Sequence, residues 1–285
     1  MKKNQEQFYP AALSCAGSDS GGGAGIQADL RTFNAFGVFA ASAITAITSQ
    51  NPKAVRRIDP VPAEGVREQL LAVLDAIEIK CAKTGMLFNA ETVKTVAKVF
   101  GANKIPLVVD PVMVATSGAV LLEASAIEVM KNELFFRAAY LTPNIPEAEL
   151  LLEVKLRTHA DFIEAAAECT RRWQCATWLK TGHAPDAKSK EVTDYLAVPG
   201  GEVYAVSSPR APERHASHGT GCTLSAALTA TLALDFPWKR AVCEAKGFVF
   251  GSLNEVVEIG PKCVAMYPPE EDYSAYIKLE SVKSK

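Results

Sequence analysis

The chain contains no G-x-x-x-x-G-K-[ST] segment, and it lacks G-x-G-x-x-G because Gly21, Gly23 and Gly25 run directly into Ile26. The first absence excludes a Walker-type nucleotide site, and the second argues against a dinucleotide-binding dehydrogenase. The seven cysteines include no C-x-x-C pair. Thiolate metal clusters and a disulfide framework are therefore unsupported, and most of these thiols read as small core residues. No continuous apolar stretch reaches the roughly 18 residues of a membrane span, the apolar run from Gly37 to Gln50 being too short. With a net charge of −2 and no concentrated basic run, there is no electrostatic footprint for nucleic acid. The polar start Met1-Lys2-Lys3-Asn4 has no apolar core of a secretory signal, so the expected location is the cytoplasm.

The 285 residues are 48% hydrophobic and 22% charged, ample for a large core. No linker or low-complexity tract divides them and no internal repeat is visible, so residues 1–285 read as one domain with its core over about 11–257. Strand patterns are expected at 13–17, 38–48, 79–84, 106–110, 138–142 and 176–180, separated by helical patterns at 26–33, 63–77, 90–100, 145–152 and 161–173. Runs at 192–198 and 202–206 around Pro199-Gly200-Gly201 read as a hairpin. This alternation predicts an α/β fold with a mostly parallel central sheet and helices on both faces.

Two glycine-rich loops stand out. His218-Gly219-Thr220-Gly221-Cys222-Thr223 feeds an apolar helix through Leu234. Helix-start N–H groups have no partner within the helix, and glycines admit an anion close to them, so this loop is read as a phosphate site. Ser18-Asp19-Ser20-Gly21-Gly22-Gly23-Ala24-Gly25 has the same layout after the first strand, which suggests a second ligand-handling end. Either loop alone could be a plain turn.

In parallel sheets ligands bind beyond the carboxyl ends of the strands. Gly17, Gln50, Met86, Asp110, Asn144, Glu147, Lys180 and Gly182 all fall at or just after expected strand ends. Two acids, Asp110 and Glu147, meeting a lysine on one edge suit Mg²⁺ and polyphosphate, since Mg²⁺ keeps several waters and takes few carboxylates. Asp110 before Pro111 is also a normal turn cap.

Five ordered motifs resemble those of the bacterial hydroxymethylpyrimidine/phosphomethylpyrimidine kinases of the ribokinase-like superfamily. They are Ala16 to Asp29, Val109-Asp110-Pro111-Val112-Met113, Leu141 to Glu149, Leu179-Lys180-Thr181-Gly182-His183, and Ser217 to Ala227. The resemblance implies ATP-dependent phosphorylation of 4-amino-5-hydroxymethyl-2-methylpyrimidine and then of its monophosphate. It places Gly17, Asp29, Gln50, Met86 and Val112 at the pyrimidine, where the Gln50 amide offers a donor and an acceptor side by side. It places Asn144, Lys180, Gly182, Thr220 and Lys246 at the nucleotide, with Mg²⁺ at Asp110 and Glu147. Gly219, Gly221 and Cys222 would cradle the transferred phosphoryl group with Lys180. Sugar kinases of the superfamily carry Asp where this chain has Cys222, so a thiol brought toward neutrality by the helix start is read as the base; the other role is a packing sulfur whose N–H does the work. A surface carboxylate is the plain alternative for Asp29, a solvated lysine for Lys246, and core packing for Met86 and Val112. The polar stretch from Ser207 to His215 is a candidate mobile cover.

Pyridoxal or pyridoxine kinase is the nearest alternative function, and a non-catalytic pyrimidine sensor ranks below it. Thr116 stands where many relatives have a lysine, which puts the second phosphorylation in doubt. The segment from Pro261 to Lys285 departs from the pattern, and a surface arm and a dimer contact both fit it. A homodimer is expected.

Overall fold

The computed structural model describes residues 9–113, 121–182, 189–212, 218–261 and 263–283. The chain opens with β1 (Ala11–Asp19), α1 (Gly25–Ala35) and a hairpin of β2 (Phe39–Asn51) and β3 (Ala54–Pro60). It continues through α2 (Ala63–Ala76), β4 (Ile79–Thr84), α3 (Ala90–Ala102), β5 (Leu107–Val109) and α4 (Ala124–Val129). Then come β6 (Tyr140–Leu141), α5 (Ile145–Leu152), α6 (His159–Trp173) and β7 (Ala176–Leu179). A second hairpin, β8 (Glu191–Ala197) and β9 (Val203–Pro209), precedes α7 (Thr220–Ala233) and α8 (Trp238–Asn254). A small pair, β10 (Val257–Gly260) and β11 (Cys263–Ala265), leads to β12 (Lys278–Val282).

Ten strands form one sheet in the order β12-β9-β8-β7-β6-β5-β4-β1-β2-β3. Strands β2, β1, β4, β5, β6 and β7 run parallel to one another, while β3, β8, β9 and β12 pair antiparallel. The chain leaves β1 in one direction for β2 and returns on its other side as β4, which makes β1/β4 a topological switch point, where α/β sheets open a ligand crevice.

Alternation along the strands divides two apolar layers. Leu13, Leu107 and Val109 face a core built with Val66, Leu70, Val96, Phe100 and Leu151, whereas Ala12 and Val108 face Phe33, Leu224, Leu228 and Val242. Helices α1, α7 and α8 thus cover one face and α2 to α6 the other. Local chemistry fixes several helix starts. Asn89 caps α3, and Thr158 with Asp161 forms a reciprocal capping box that begins α6 two residues before the expected Asp161.

Three features depart from the sequence reading. Strand β2 is not wholly buried: Phe39 and Ile47 are about half exposed, because β2 continues into a hairpin with β3, turned by Asn51, whose side chain accepts from the N–H groups of Lys53 and Ala54. The helical stretch from Ala124 to Arg137 passes from α through a π turn to a 3-10 turn and had no counterpart in the expected elements. The C-terminal segment, read as a surface arm or a dimer contact, supplies β12, which pairs with β9 as an edge strand of the main sheet.

Candidate active site

A cavity of about 480 Å³ opens at the carboxyl edge of the parallel strands. All the expected site residues line it. Gly17, Asp29, Gln50, Met86 and Val112 lie on its wall, as do Asn144, Lys180, Gly182, Thr220 and Lys246. Asp110, Glu147, Gly219, Gly221 and Cys222 complete that set.

At the start of α7, Gly219 has φ 86° and no side chain caps the helix, so its first turn presents backbone N–H groups to the cavity. A Cβ on Gly221 would lie 3.2 Å from Lys180 Nζ; the missing side chain is what lets the lysine tip reach this turn. Lys180 is held from behind: its N–H donates to Pro143 O, and it forms a parallel bridge with Asn144.

The first glycine loop, read as a second ligand-handling end, also lines the cavity but is built differently. The Asp19 carboxylate accepts from the N–H groups of Gly21, Gly23 and Ala24 at 2.8, 3.1 and 2.9 Å, so the chain fills this loop with its own anion. His218 Nε2 lies 2.9 Å from the same carboxylate and 3.3 Å from the Gln50 amide. Gly219 in turn sits against Gly23, whose carbonyl oxygen a Cβ at position 219 would meet at 1.9 Å. The two loops are one latched structure.

Lys180 Nζ donates to Asp110 Oδ1 at 2.7 Å, and the hydroxyls of Thr142 and Ser225 also donate to Asp110 at 3.1 and 3.2 Å. Burial opposes the Asp110 charge, but Lys180 and then Lys83 hold its carboxyl below the ordinary value. Glu147 sits in a capping box at the start of α5, accepting from Asn144 N–H while Asn144 Oδ1 accepts from Glu147 N–H. Burial pushes the Glu147 carboxyl up to about 7, with the Asp110 charge adding to the rise and Lys180 opposing it. Two buried carboxylates of which one is driven toward neutrality fit a divalent cation bound largely through water and phosphate oxygens. Among the described residues no set of three or more acidic, His or Cys side chains forms a closed metal cage.

One expectation is corrected, and two plain alternatives fall away. The Cys222 thiol does not fall toward neutrality; burial pushes it up to about 11, although Lys83 pulls the other way. Asp29 and Lys246 are not solvated. Asp29 is fully enclosed, paired with Lys83 at 2.6 Å and accepting from Ser14 Oγ at 2.6 Å. Lys246 pairs with Asp194 at 2.6 Å, and Asp194 also accepts from Trp178 Nε1 and the Thr181 N–H. Met86 and Val112 belong to a small apolar cluster with Ala46 and Leu121 that forms one cavity wall, so packing and lining coincide there.

Lys83, Asp194 and Ser225 escaped the sequence reading. Lys83 had a signal, a lysine at the inward end of a strand, next to Ala82 and Thr84, both buried. Asp194 and Ser225 had none, being ordinary polar residues until the sheet and α7 are assembled. Of the candidate cover, Ser207 to Pro209 belong to β9 and Ser208 to Pro212 line the cavity; residues 213–217 lie outside the described residues, as do Thr116 and His183.

A family model described as phosphomethylpyrimidine kinase matches residues 19–266. The hydroxymethylpyrimidine/phosphomethylpyrimidine kinase of Haemophilus influenzae is 42% identical over 253 residues, covering 87% of this chain and 92% of that protein. The phosphomethylpyrimidine kinase structure from Clostridium difficile superposes with a TM-score of 0.72 at 34% identity, covering 84% of this chain and 97% of that one. The pyridoxal kinase of Staphylococcus aureus, solved with pyridoxal, gives a TM-score of 0.83 at 29% identity over 97% of this chain and all of that one, and has also been solved with ADP.

Proposed function

This chain belongs to the phosphomethylpyrimidine kinase family, and on that premise we infer that it is an ATP-dependent phosphotransferase acting on 4-amino-5-hydroxymethyl-2-methylpyrimidine and then on its monophosphate. The observation that carries this reading is the uncapped first turn of α7, opening between the Asp110–Lys180 pair and the wall bearing Gln50 and Met86. Phosphoryl transfer needs positioning and charge stabilisation rather than covalent chemistry, and this geometry offers both.

In this reading the Gln50 amide takes the aminopyrimidine edge while Met86 and Val112 cover the ring. The N–H groups of Gly219, Gly221 and Cys222 receive the negative charge that develops on the transferred group. Lys180 exchanges part of its contact with Asp110 for phosphate oxygens, and Lys246, Gly182, Thr220 and Asn144 bound the nucleotide end. Asp110 and Glu147 would hold Mg²⁺, which supplies charge neutralisation of the phosphates when bound. In its thiolate form Cys222 takes the hydroxyl proton in the first step; the second, whose acceptor is already a phosphate, needs no base. The reading includes a homodimer working in the cytoplasm on small molecules alone, and no helix among the described residues is long and apolar enough to cross a membrane.

Pyridoxal kinase is the second reading, favoured by the superposition on the Staphylococcus aureus enzyme. Purified protein given ATP and Mg²⁺ separates the two when products from the pyrimidine alcohol, its monophosphate and pyridoxal are followed side by side. Pyrimidine mono- and diphosphate formation is the expected result. Efficient pyridoxal turnover with little pyrimidine diphosphate would assign the protein to vitamin B6 salvage, and no turnover of any acceptor would leave only a sensor.

A further inference from the structure

Lys83 is the only charged residue among the largest fully enclosed side chains of the described residues. It lies on β4 opposite Ser14 of β1, between the two strands where the sheet changes direction. Its Nζ is 2.6 Å from Asp29 Oδ1 and 3.5 Å from the carbonyl oxygen of Cys222. That carbonyl also accepts from Ser225 Oγ at 3.1 Å, and Ser225 Oγ lies 3.2 Å from Asp110 Oδ2, whose other oxygen holds Lys180. A continuous polar chain therefore runs beneath the first turn of α7, from Asp29 at the acceptor end to Lys180 at the phosphate end.

Stability does not account for this lysine. Burying an ion pair costs about as much as it returns, and apolar residues of similar volume generally do as well. A cation beside the first turn of a helix also opposes the helix dipole. Burial pushes the Asp29 carboxyl up and would push Lys83 down, yet Asp29 at 2.6 Å holds the ammonium above its ordinary value. Two fully enclosed ionisable groups thus meet at 2.6 Å, with the lysine nitrogen also directed at a backbone carbonyl of the turn that cradles phosphate.

We propose that Lys83 is a positioning residue for phosphoryl transfer: anchored to Asp29 on α1, it fixes the Cys222 carbonyl and with it the first turn of α7 relative to the acceptor. The inference rests on the kinase reading above. It differs from mere neutralisation of Asp29, which would need no contact with Cys222.

The test compares four proteins: wild type, Asp29→Asn, Lys83→Met and the double variant. Each is assayed for kcat, for KM of ATP and of the acceptor, and for thermal melting, using whichever of the three acceptors the wild type phosphorylates fastest. Failure of the pyrimidine assignment thus leaves this test intact. Misplacing a cradle by about 1 Å costs on the order of 100-fold. Lys83→Met is expected to lower kcat by roughly 10- to 100-fold with KM for ATP changed little, and the same loss is expected when Lys83→Met is added to Asp29→Asn, whose amide oxygen still accepts from Lys83 and keeps it anchored. The double variant carries no unpaired buried charge, so it reports even if Lys83→Met alone does not fold. Equal kcat for Asp29→Asn and the double variant would overturn the proposal and reduce Lys83 to a counter-ion.

Discussion

Cys222 sits in the first turn of α7 with its thiol pushed up to about 11 by burial, so at neutral pH it is almost wholly protonated. A base of this kind gains effective form as pH rises. The rate of the first phosphorylation is expected to climb through pH 9 without a plateau, while phosphorylation of the monophosphate stays flatter. Cys222→Ala should lower kcat for the alcohol by on the order of 100-fold and spare the second step, as steady-state kinetics on the two acceptors would reveal. Equal losses on both would make the sulfur a packing group. Glu147 gives a second test. Its folded value of about 7 lies above the ordinary 4.5, so between those pH values the folded protein keeps a proton that the unfolded chain has lost. Raising pH through this window therefore erodes stability, by up to roughly 3 kcal/mol for this group. In calorimetry between pH 5 and 8 without ligands, Glu147→Gln should fall less steeply in Tm than wild type. The site residues were legible because motif order and strand-end position both point to them; their charge states were not. A helix start lowers a thiol and a surface keeps a carboxylate ionised, but depth of burial, which only the assembled sheet sets, reversed the expected direction for Cys222.

Among the elements, the junction of the two glycine loops is the least tolerant. At Gly219 a side chain would be strained by φ 86° and would collide with Gly23 O, so Gly219→Ala should cost on the order of 3 kcal/mol or more and abolish ADP binding. Gly182→Ala is the matched control, because a Cβ there meets nothing within 4 Å; its melting temperature should stay within about 2 °C of wild type, a near-neutral change. Periodicity located most helices and the parallel strands, since long amphipathic or β-branched runs carry their own signal. It missed β3, whose Arg56, Arg57 and Asp59 hide an edge strand, and the helical stretch from Ala124 to Arg137, whose changing pitch keeps no single period. The first glycine loop looked like an anion cradle because spacing cannot disclose that Asp19 turns back to occupy it.

On the scale of the whole molecule, the main sheet takes in residues beyond 11–257. Strand β12 adds its residues from Lys278 to Val282 to β9, and Tyr273 packs against Phe250 with ring centroids 5.6 Å apart. No pattern in the sequence announces that pairing, because an edge strand five residues long is specified mostly by the neighbour that receives it. A chain ending at Met266 should therefore melt at a lower temperature than the full chain and aggregate with concentration, as light scattering during a thermal ramp would register, since it leaves the β9 edge unpaired. Equal melting and scattering would show the last strand to be dispensable. The same arrangement imposes a timetable on biosynthesis. The sheet begins with β1 at its interior and receives β12 after every other strand has left the ribosome, so a nascent kinase passes through an interval in which its catalytic cavity is nearly assembled while one border still invites other chains. Translation speed over the final residues, and any holdase attending them, then bear on the yield of native protein.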